Sequence, residues 1–336
     1  MVNPVRISLD AMGGDLGPSV CVPAGLKMAR QRDELSLLLV GQIEKIEPLL
    51  QGFEDIKARV RIVDAREVVG MDESPADALR KKKNSSLRVA TDLVRRGEAD
   101  ACVSAGNTGA LMATGRFVLK TLPGISRPAI MTAVPTMQGH AHMLDLGANT
   151  NCSPENLFQF AVMGSVVASE IENISHPRIG LLNIGVEDIK GNDTVREAAA
   201  LLGASALNYI GFVEGDDIFE QKADVVVCDG FSGNVALKSI EGTSKLITHY
   251  LRQEFKSGLY GKLAGMISWP VLKSLSAKLD PRRYNGASLV GLNGIVIKSH
   301  GSADEVAFQQ AIQTAMIEVE KAVPDQIRKM LEEQAG

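Results

Sequence analysis

Short apolar segments recur along the chain and alternate with longer segments of helical periodicity. Most of the apolar segments are uncharged and rich in β-branched residues, a pattern typical of strands covered on both faces of a sheet. Between them, apolar residues recur at helical spacing, as at Leu87, Ala90 and Val94, which predicts amphipathic helices. The predicted strands are residues 5–9, 35–40, 60–63, 101–104, 130–134, 142–146, 179–184, 209–213, 225–228 and 294–298.

The repeated alternation of strand and helix predicts an α/β fold with a mostly parallel sheet and helices on both faces, a Rossmann-like three-layer arrangement. Glycine and proline are spread along the chain, and no linker or internal repeat stands out. We therefore predict one α/β unit over residues 1–336, with an irregular insertion near residues 255–285.

The composition argues against several classes of protein. The 336 residues are 45% hydrophobic and 23% charged, which are ordinary values for a globular protein. A net charge of −4 and an aromatic content of 4% argue against nucleic acid as a partner. The four cysteines lack C-x-x-C spacing, and the sequence has neither a signal-peptide core nor an apolar run of about 20 residues. These features predict a cytoplasmic protein with reduced thiols.

Small polar residues and glycines follow five of the predicted strands. Glycine lets the backbone approach a ligand closely, and the N-terminus of a following helix offers free N–H groups to an anion. In a parallel sheet the carboxyl ends of the strands share one edge, where open α/β sheets bind ligands. We therefore expect the five loops to form one phosphate pocket; they lie within residues 10–18, 104–109, 145–149, 183–193 and 229–234.

Common nucleotide-binding and hydrolase motifs are missing from the sequence. It contains no G-x-x-x-x-G-K-[ST] loop, no G-x-G-x-x-G after the first strand and no G-x-S-x-G elbow. The cysteines and histidines show no zinc-ligand spacing, so no metal is expected. His140 and His142 alternate and would share one face of a strand, which leaves a metal site there as the less favoured alternative.

Eight segments taken together resemble one family, the bacterial phosphate acyltransferases (acyl-ACP:phosphate transacylases) of phospholipid synthesis. They occur in order from the first strand to about residue 305, and their combination is more specific than any one segment. They are residues 9–15 (LDAMGGD), 104–110 (SAGNTGA), 145–149 (DLGAN), 183–185 (NIG), 190–193 (KGND), 212–215 (FVEG), 229–234 (DGFSGN) and 298–301 (KSHG).

The resemblance implies a fold similar to that of phosphate acetyl- and butyryltransferases. It implies that a fatty acyl group passes from acyl carrier protein to inorganic phosphate, giving acyl phosphate. A membrane acyltransferase would then use this product to acylate glycerol 3-phosphate. It also implies a homodimer that needs no organic cofactor and works at the inner face of the cell membrane.

The expected reaction needs donors for phosphate and for the oxyanion of a tetrahedral intermediate. It needs no covalent acyl-enzyme, because phosphate is itself a nucleophile. We expect Lys190, Asn234, Asp229 and His300 to be the catalytic residues. Lys190 would supply positive charge to phosphate, with Asp229 and Asn234 on the opposing wall. His300 would donate to phosphate or protonate the departing thiolate; a satisfied structural histidine is the alternative.

The remaining loop residues are expected to bind substrate or to hold the loops in shape. Asn107 and Thr108 would bind the anion at a helix start, whereas Asp10, Asp145 and Asn149 would fix the loops. A helix cap or an Asx-turn is the alternative role for each aspartate. The expected substrate-binding residues are Asp10, Gly13, Gly14, Ser104, Gly106, Asn107, Thr108, Gly109, Asp145, Gly147, Asn149, Asn183, Gly191, Asn192, Gly230, Ser232 and Gly233.

The insertion at residues 255–285 is basic and amphipathic, and Pro270 divides it into two predicted short helices. Its apolar positions run from Phe255 to Leu279, and the only tryptophan of the chain, Trp269, lies at the break. Such a segment suits a membrane interface, and packing against a partner subunit is the equally weighted alternative. The expected membrane-surface residues are Leu259, Leu263, Ile267, Trp269 and Leu272.

A second basic stretch covers residues 80–83, with Arg88 beyond it. Because acyl carrier proteins are acidic, this stretch is a candidate docking patch, although a solvated helix end is the commoner explanation.

Two other functions remain open at this stage. The first is a phosphate acyltransferase that uses acyl-CoA, and the second is a non-catalytic anion-binding scaffold at a membrane. A dehydrogenase has little support, because the dinucleotide motif is missing.

Overall fold

The computed structural model describes residues 4–278 and 280–335. Its centre is one sheet of eleven strands. The strands are β1 (Val5–Asp10), β2 (Leu35–Gly41), β3 (Val60–Asp64), β4 (Ala101–Ser104), β5 (Ala129–Thr136), β6 (Gly139–Leu144), β7 (Ile179–Leu182), β8 (Tyr209–Val213), β9 (Val225–Val227), β10 (Ala287–Val290) and β11 (Ile295–Lys298).

The order of strands across the sheet is β3-β2-β1-β4-β11-β10-β5-β6-β9-β7-β8. Neighbouring strands from β3 to β11 are parallel, and so are those from β6 to β8. Between these two halves, β10 is antiparallel to both β11 and β5, and β5 is antiparallel to β6. The two parallel halves therefore run in opposite directions.

Helices cover both faces of the sheet, as the sequence predicts. They are α1 (Pro18–Gln31), α2 (Ile43–Ile46), α3 (Pro75–Lys81), α4 (Ser86–Arg95), α5 (Thr108–Val118), α6 (Pro154–Glu172), α7 (Asp193–Gly203), α8 (Asp217–Glu220), α9 (Gly230–Lys256), α10 (Gly258–Ile267), α11 (Trp269–Lys278), α12 (Glu305–Glu320) and α13 (Val323–Ala335).

Three apolar clusters cover the sheet: one on each half, and one that continues across both halves. On the first half, α1 and α12 pack on one face and α4 and α5 on the other. On the second half, α6 packs on β6 and β9 and is itself covered by α7 and α13. The largest fully buried side chains include Phe160 of α6 and Phe308 of α12. No helix within the described residues is both long enough and apolar enough to cross a bilayer.

The α/β class with a mostly parallel sheet is confirmed, but the expectation that all strands end at one edge is wrong. The segments predicted around residues 130–134 and 142–146 form a hairpin, β5 and β6, joined at Met137 and Gln138. Beyond the turn of this hairpin, β6, β7, β8 and β9 end at the opposite edge, whereas β11 is parallel to β4 and ends at the same edge as β1. β10 is a further strand that the sequence pattern did not identify.

The predicted helical insertion is present, and its two helices, α10 and α11, are separated at Ser268 just before Pro270. They extend from the end of α9, and α10 packs back on α9. We call residues 246–278 the helical arm. Its large apolar side chains are mostly in solvent; Leu259 is 86% exposed and Trp269 is 65% exposed. Leu279 lies outside the described residues.

Candidate functional site

The glycine-rich loops fall into two clusters, one for each half of the sheet. The first cluster follows β1, β4 and β11 and comprises residues 10–15, 104–109 and 298–301. The second cluster follows β6, β9 and β7 and comprises residues 145–149, 229–234 and 183–193. The expectation of one shared sheet edge is therefore wrong, because the two groups of strands point in opposite directions. The single phosphate pocket stays a prediction.

Asp10 is the centre of the first cluster. Its side chain is fully buried, and its Oδ2 accepts a hydrogen bond of 2.6 Å from Oγ of Ser104. Ser104 Oγ in turn accepts a hydrogen bond of 3.0 Å from the backbone N–H of Gly106. Burial raises the pKa of Asp10, and the hydrogen bond from Ser104 only partly offsets this effect. Asp10 thus holds the loop after β4 in place from below.

Two glycines let the loop after β1 pack against its neighbours. A Cβ on Gly13 would lie 2.6 Å from Oδ2 of Asp10, and one on Gly14 would lie 2.9 Å from the carbonyl oxygen of Gly301. Gly14 also has a φ of 87°, which L residues rarely adopt. Asp15 donates its backbone N–H to the Gly301 oxygen over 2.8 Å. These contacts join the loop after β1 to the loop after β11.

Lys298 is a buried cation of the first cluster that the sequence analysis did not select. Its Nζ donates to the carbonyl oxygens of Ala105 and Ser299. Burial lowers the pKa of this lysine to about 8, although Asp10 and Asp15 favour its charged form. The available signal was a lysine at the end of an otherwise apolar strand.

Asn107 is a structural residue rather than a free anion donor. Its Oδ1 caps α5 by accepting the N–H of Ala110, and its Nδ2 donates to the carbonyls of Gly70, Met71 and Glu73. The expectation that this side chain binds phosphate is not supported, because its amide is fully used. Thr108 and Gly109 follow it in the exposed first turn of α5. The start of α5 is therefore open to an anion at Thr108 and Gly109, without a contribution from the Asn107 amide.

His300 is a partly exposed residue at the end of the first cluster. Its backbone N–H donates to Oδ1 of Asn285, and its Nδ1 lies 2.9 Å from Oγ of Ser302. Partial burial lowers its pKa, and the charge of Lys238 on α9 lowers it further. Glu241, which pairs with Lys238 at 2.8 Å, acts on His300 in the opposite direction.

Asp145 organises the second cluster from a fully buried position. Its Oδ1 accepts the N–H groups of Ile130 and Ala148, and its Oδ2 accepts both the N–H and Nδ2 of Asn149. Asn149 also donates to the carbonyl of Pro128. Burial raises the pKa of Asp145 against these donors. Both side chains are used within the loop and thus shape it.

Asp229 and Ser232 form the cap of α9. Oδ1 of Asp229 accepts the N–H groups of Phe231 and Ser232, and its Oδ2 accepts Oγ of Ser232 over 2.7 Å. These contacts show that Asp229 is a helix cap, the alternative role that the sequence left open.

Two glycines bring the start of α9 against the loop after β6. A Cβ on Gly230 would lie 2.8 Å from Oδ2 of Asp145, and one on Gly233 would lie 2.0 Å from the Asp145 carbonyl oxygen. No larger residue fits at Gly233 without displacing the helix, so this glycine fixes where α9 begins.

The side-chain amide of Asn183 holds the loop after β7 in shape. Asn183 donates from Nδ2 to the carbonyls of Gly185 and Lys190, and a Cβ on Gly191 would lie 2.3 Å from its Oδ1. Asn192 caps α7 through the N–H of Val195. Lys190 itself is exposed, so its ammonium group is presented to solvent next to a helix start.

Helix α9 connects the two clusters. Asn234 is exposed in its second turn and lies beside Gly147, where a Cβ would be 3.6 Å from that of Asn234. Lys238 is four residues further and therefore on the same face of the helix. Its charge acts on both Lys298 and His300 of the first cluster. One exposed helix face thus runs from the second cluster to the first.

The arrangement supplies amide donors, lysines and open helix starts, but no activated serine or cysteine. Burial raises the pKa of Cys21 well above its ordinary value and that of Cys102 to about 12, so neither thiol is a nucleophile near neutral pH. The chemistry that these groups suit is the positioning of an anion and the stabilisation of an oxyanion.

Comparison with known proteins identifies the family. A family model described as fatty acid synthesis protein matches residues 5–326. A phosphate acyltransferase from Alkalilimnicola ehrlichii is 60% identical over 334 residues, which cover 99% of this chain and 97% of the relative. A phosphate acyltransferase from Halorhodospira halophila is 55% identical over 338 residues, covering 100% and 98%.

Solved structures show the same fold at low sequence identity. A phosphotransacetylase from Streptococcus pyogenes superimposes with a TM-score of 0.63 at 20% identity, covering 95% of this chain and 94% of that one. The fold is therefore similar to that of phosphotransacetylases, as the resemblance implied. On the strength of the family model and the near full-length relatives, the chain belongs to the phosphate acyltransferase family of acyltransferase enzymes.

Proposed function

We propose that the protein transfers a fatty acyl group from acyl carrier protein to inorganic phosphate, giving acyl phosphate for phospholipid synthesis. The observation that carries this proposal is the exposed face of α9, which presents Asn234 next to Gly147 of the second cluster and, one turn further, Lys238, whose charge acts on His300 of the first cluster. Membership of the phosphate acyltransferase family supports the reaction class.

In the proposed step, a phosphate oxygen attacks the thioester carbonyl carbon, and a C–O bond forms. The tetrahedral intermediate collapses with cleavage of the C–S bond, and the carrier thiolate leaves with the electron pair and takes up a proton. Lys190 and Asn234 bind the phosphate or the oxyanion, and His300 donates to phosphate or to the departing sulfur. Placing both reactants along one helix supplies effective molarity, and each oxyanion donor contributes about 10²–10³ in rate.

Exposed apolar side chains next to the second cluster support a long acyl chain as the transferred group. In the loop after β7, Ile184 is 78% exposed, and Ile189, which directly precedes Lys190, is 82% exposed. On the adjacent α9, Phe231 is 66% exposed and Val235 is 49% exposed. Large apolar groups rarely remain in solvent without a partner, and an acyl chain is one that fits.

The basic stretch at residues 80–83 supports an acidic carrier protein as the acyl donor. It ends α3, and α3 packs on α5, so the stretch lies on the side of the first cluster. Lys81 pairs with Asp77 at 2.9 Å and Lys82 pairs with Glu73. Arg88 pairs with Asp92 at 2.9 Å. Arg80 and Lys83 are exposed and are the residues that we assign to carrier docking.

The helical arm supports a peripheral location on the inner face of the cell membrane. Leu259, Leu263, Ile267 and Trp269 are all more than half exposed, as an interfacial segment requires. Leu272 is less exposed. This location would bring the acyl phosphate to the membrane glycerol-3-phosphate acyltransferase that consumes it. A homodimer that buries part of the same arm is included in the proposal.

The test is to measure acyl phosphate formation and thiol release from acyl-ACP and phosphate. We expect wild-type protein to need both substrates, and Lys190→Ala and Asn234→Ala to lower kcat/KM at least about 100-fold. Lys57→Ala, an exposed lysine outside both clusters, is the control and should retain normal turnover. Normal turnover in folded Lys190→Ala and Asn234→Ala variants would contradict the assignment of these residues.

The same assay with acyl-CoA tests the main alternative. A rate with acyl-CoA that equals or exceeds the rate with acyl-ACP would identify an acyl-CoA-dependent enzyme. Phosphate-dependent thiol release itself excludes a non-catalytic anion-binding scaffold.

A further inference from the structure

A compact group of three metal-ligating side chains lies outside both clusters. His140 and His142 are two residues apart on β6 and therefore point to the same face of the sheet. Glu172 is the last residue of α6, which packs on β6 and β9. The end of this helix therefore brings a carboxylate to the two imidazole rings.

The ligand atoms lie close enough together to surround one ion. Oε1 of Glu172 is 2.9 Å from Nε2 of His140 and 3.4 Å from Nε2 of His142. One ligand atom from each residue lies within 4.8 Å of the others. Ligands held about 2.1 Å from a tetrahedral zinc ion lie about 3.4 Å apart. Small rotations of the side chains would therefore place all three donors around one ion.

The burial of His142 gives a second, independent indication. The residue is only 8% exposed and its side chain 10%, and its Nε2 is buried without a hydrogen-bond partner among the described residues. Buried polar nitrogens are usually paired, so an unpaired one that points at a carboxylate and a second imidazole calls for an explanation. A metal ion would satisfy this nitrogen.

The site also has access and the right charge. The side chains of His140 and Glu172 are 33% and 29% exposed, which leaves an ion a path from solvent. The Glu172 carboxylate supplies one negative charge next to the two imidazole rings. Two imidazoles and a carboxylate are a donor set that zinc prefers, with the fourth position left to water.

We propose that His140, His142 and Glu172 form a binding site for a divalent transition-metal ion, with zinc as the ion the geometry suits. The site is separate from the acyl-transfer chemistry and does not depend on it. It ties the β5–β6 hairpin to the end of α6. The less favoured alternative of the sequence analysis thus becomes the preferred one once Glu172 is placed beside the two histidines.

The experiment is a calorimetric titration of tag-free, chelator-treated protein with Zn²⁺, with Co²⁺ absorption as a spectroscopic check on coordination. We expect one equivalent of Zn²⁺ to bind wild-type protein and the thermal unfolding midpoint to rise when it is added. His142→Gln and Glu172→Gln should weaken binding at least about tenfold. His176→Gln changes an exposed histidine elsewhere and should bind as wild type does.

His140→Gln is the second variant, because His140 is more exposed than His142 and its loss is less disruptive to folding. It should also weaken zinc binding at least about tenfold and remove the Co²⁺ band of a nitrogen–oxygen site. Absence of binding in wild-type protein would overturn the proposal. So would equal affinity in wild type and His140→Gln, because the ion would then bind without His140.

Discussion

Ser104 donates from its Oγ to Oδ2 of Asp10 over 2.6 Å, and this bond joins the carboxyl ends of the neighbouring parallel strands β4 and β1. Oδ1 of Asp10 is buried without a hydrogen-bond partner among the described residues. Burial raises the pKa of the Asp10 carboxyl group, whereas the hydrogen bond from Ser104 lowers it. The Ser104 hydroxyl group is therefore one of the contacts that hold the first cluster together.

We expect Ser104→Ala to lower the free energy of unfolding by about 1–3 kcal/mol, because it removes a donor from a buried carboxyl group. Urea unfolding measures this loss. Ser175→Ala, at an exposed loop serine, is the control and should change stability by less than about 0.5 kcal/mol. Equal effects of the two substitutions would show that the bond to Asp10 contributes nothing.

The buried carboxyl group of Glu318 should make the free energy of unfolding fall as pH rises. It is fully buried in α12 with Oγ of Ser288 as its donor, and burial raises its pKa to about 7 from an ordinary value of 4.5. Between these values the unfolded chain releases its proton while the folded chain keeps it. The stabilising contribution of the protonated form is therefore complete below about pH 4.5 and lost as pH rises through about 7. The loss amounts to roughly 3 kcal/mol.

Urea unfolding at pH 5 and pH 8 checks this prediction. Glu318→Gln should remove most of the pH dependence and be more stable than wild type at pH 8. Glu320→Gln, at an exposed position of the same helix, should leave the wild-type pH dependence intact. A Glu318→Gln variant with the wild-type pH profile would contradict the assignment.

Replacement by alanine should have opposite effects on stability at two glycines of α9, Gly233 and Gly242. A Cβ on Gly233 would lie 2.0 Å from the Asp145 carbonyl oxygen and 2.8 Å from Sγ of Cys228, so Gly233→Ala should cost about 3 kcal/mol or more. A Cβ on Gly242 meets nothing within 4 Å, so Gly242→Ala should stabilise the helix by about 0.5–1 kcal/mol.

Thermal unfolding and acyl phosphate assays on the two alanine variants test this pair. Gly233→Ala should lose activity together with stability, because the displaced helix carries Asn234. A Gly233→Ala variant as stable as Gly242→Ala would show that α9 does not need its close contact with the loop after β6.

Charge reversal at the basic stretch should affect one substrate only. Arg80→Glu combined with Lys83→Glu should raise the KM for acyl-ACP at least about threefold and leave the KM for phosphate unchanged, because both residues steer an acidic carrier. Lys57→Glu carries the same kind of change at an exposed lysine just before β3 and should alter neither KM. An unchanged KM for acyl-ACP in the double variant would rule out docking here.

The helical arm predicts binding to anionic vesicles. Leu263 is 55% exposed, and Leu263→Glu should lower the fraction that co-sediments with such vesicles at least about tenfold, as the loss of one buried leucine side chain predicts. Leu201→Glu, at an exposed leucine of α7, should bind as wild type does. If wild-type protein ignores the vesicles and Leu263→Glu instead dissociates a dimer, the arm is a subunit interface.

Local patterns in the sequence predicted the elements well and their directions poorly. The β1 and β4 segments were identified to within a residue, because a buried strand is a continuous apolar run. The hairpin of β5 and β6 was read as two separate strands of a parallel sheet. The available signal was the short turn at Met137 and Gln138 followed by Gly139, between two apolar runs.

The candidate residues were found by type, but their roles depend on contacts that only the fold creates. Asn107 was chosen as an anion donor, yet the loop at residues 70–73 takes up its amide. That loop is 34–37 residues away along the chain, so spacing could not reveal the contact. Lys298 was missed for the same reason, because its burial follows from the loops packed around it.

The position of β11 between β4 and β10 constrains how the polypeptide reaches its native state during synthesis. Until residues 295–298 leave the ribosome, one side of β4 has no neighbour, and the two half-sheets are not joined through hydrogen bonds. The nascent chain thus carries an open strand edge for most of its translation, a liability for aggregation. The final strand to emerge completes the sheet.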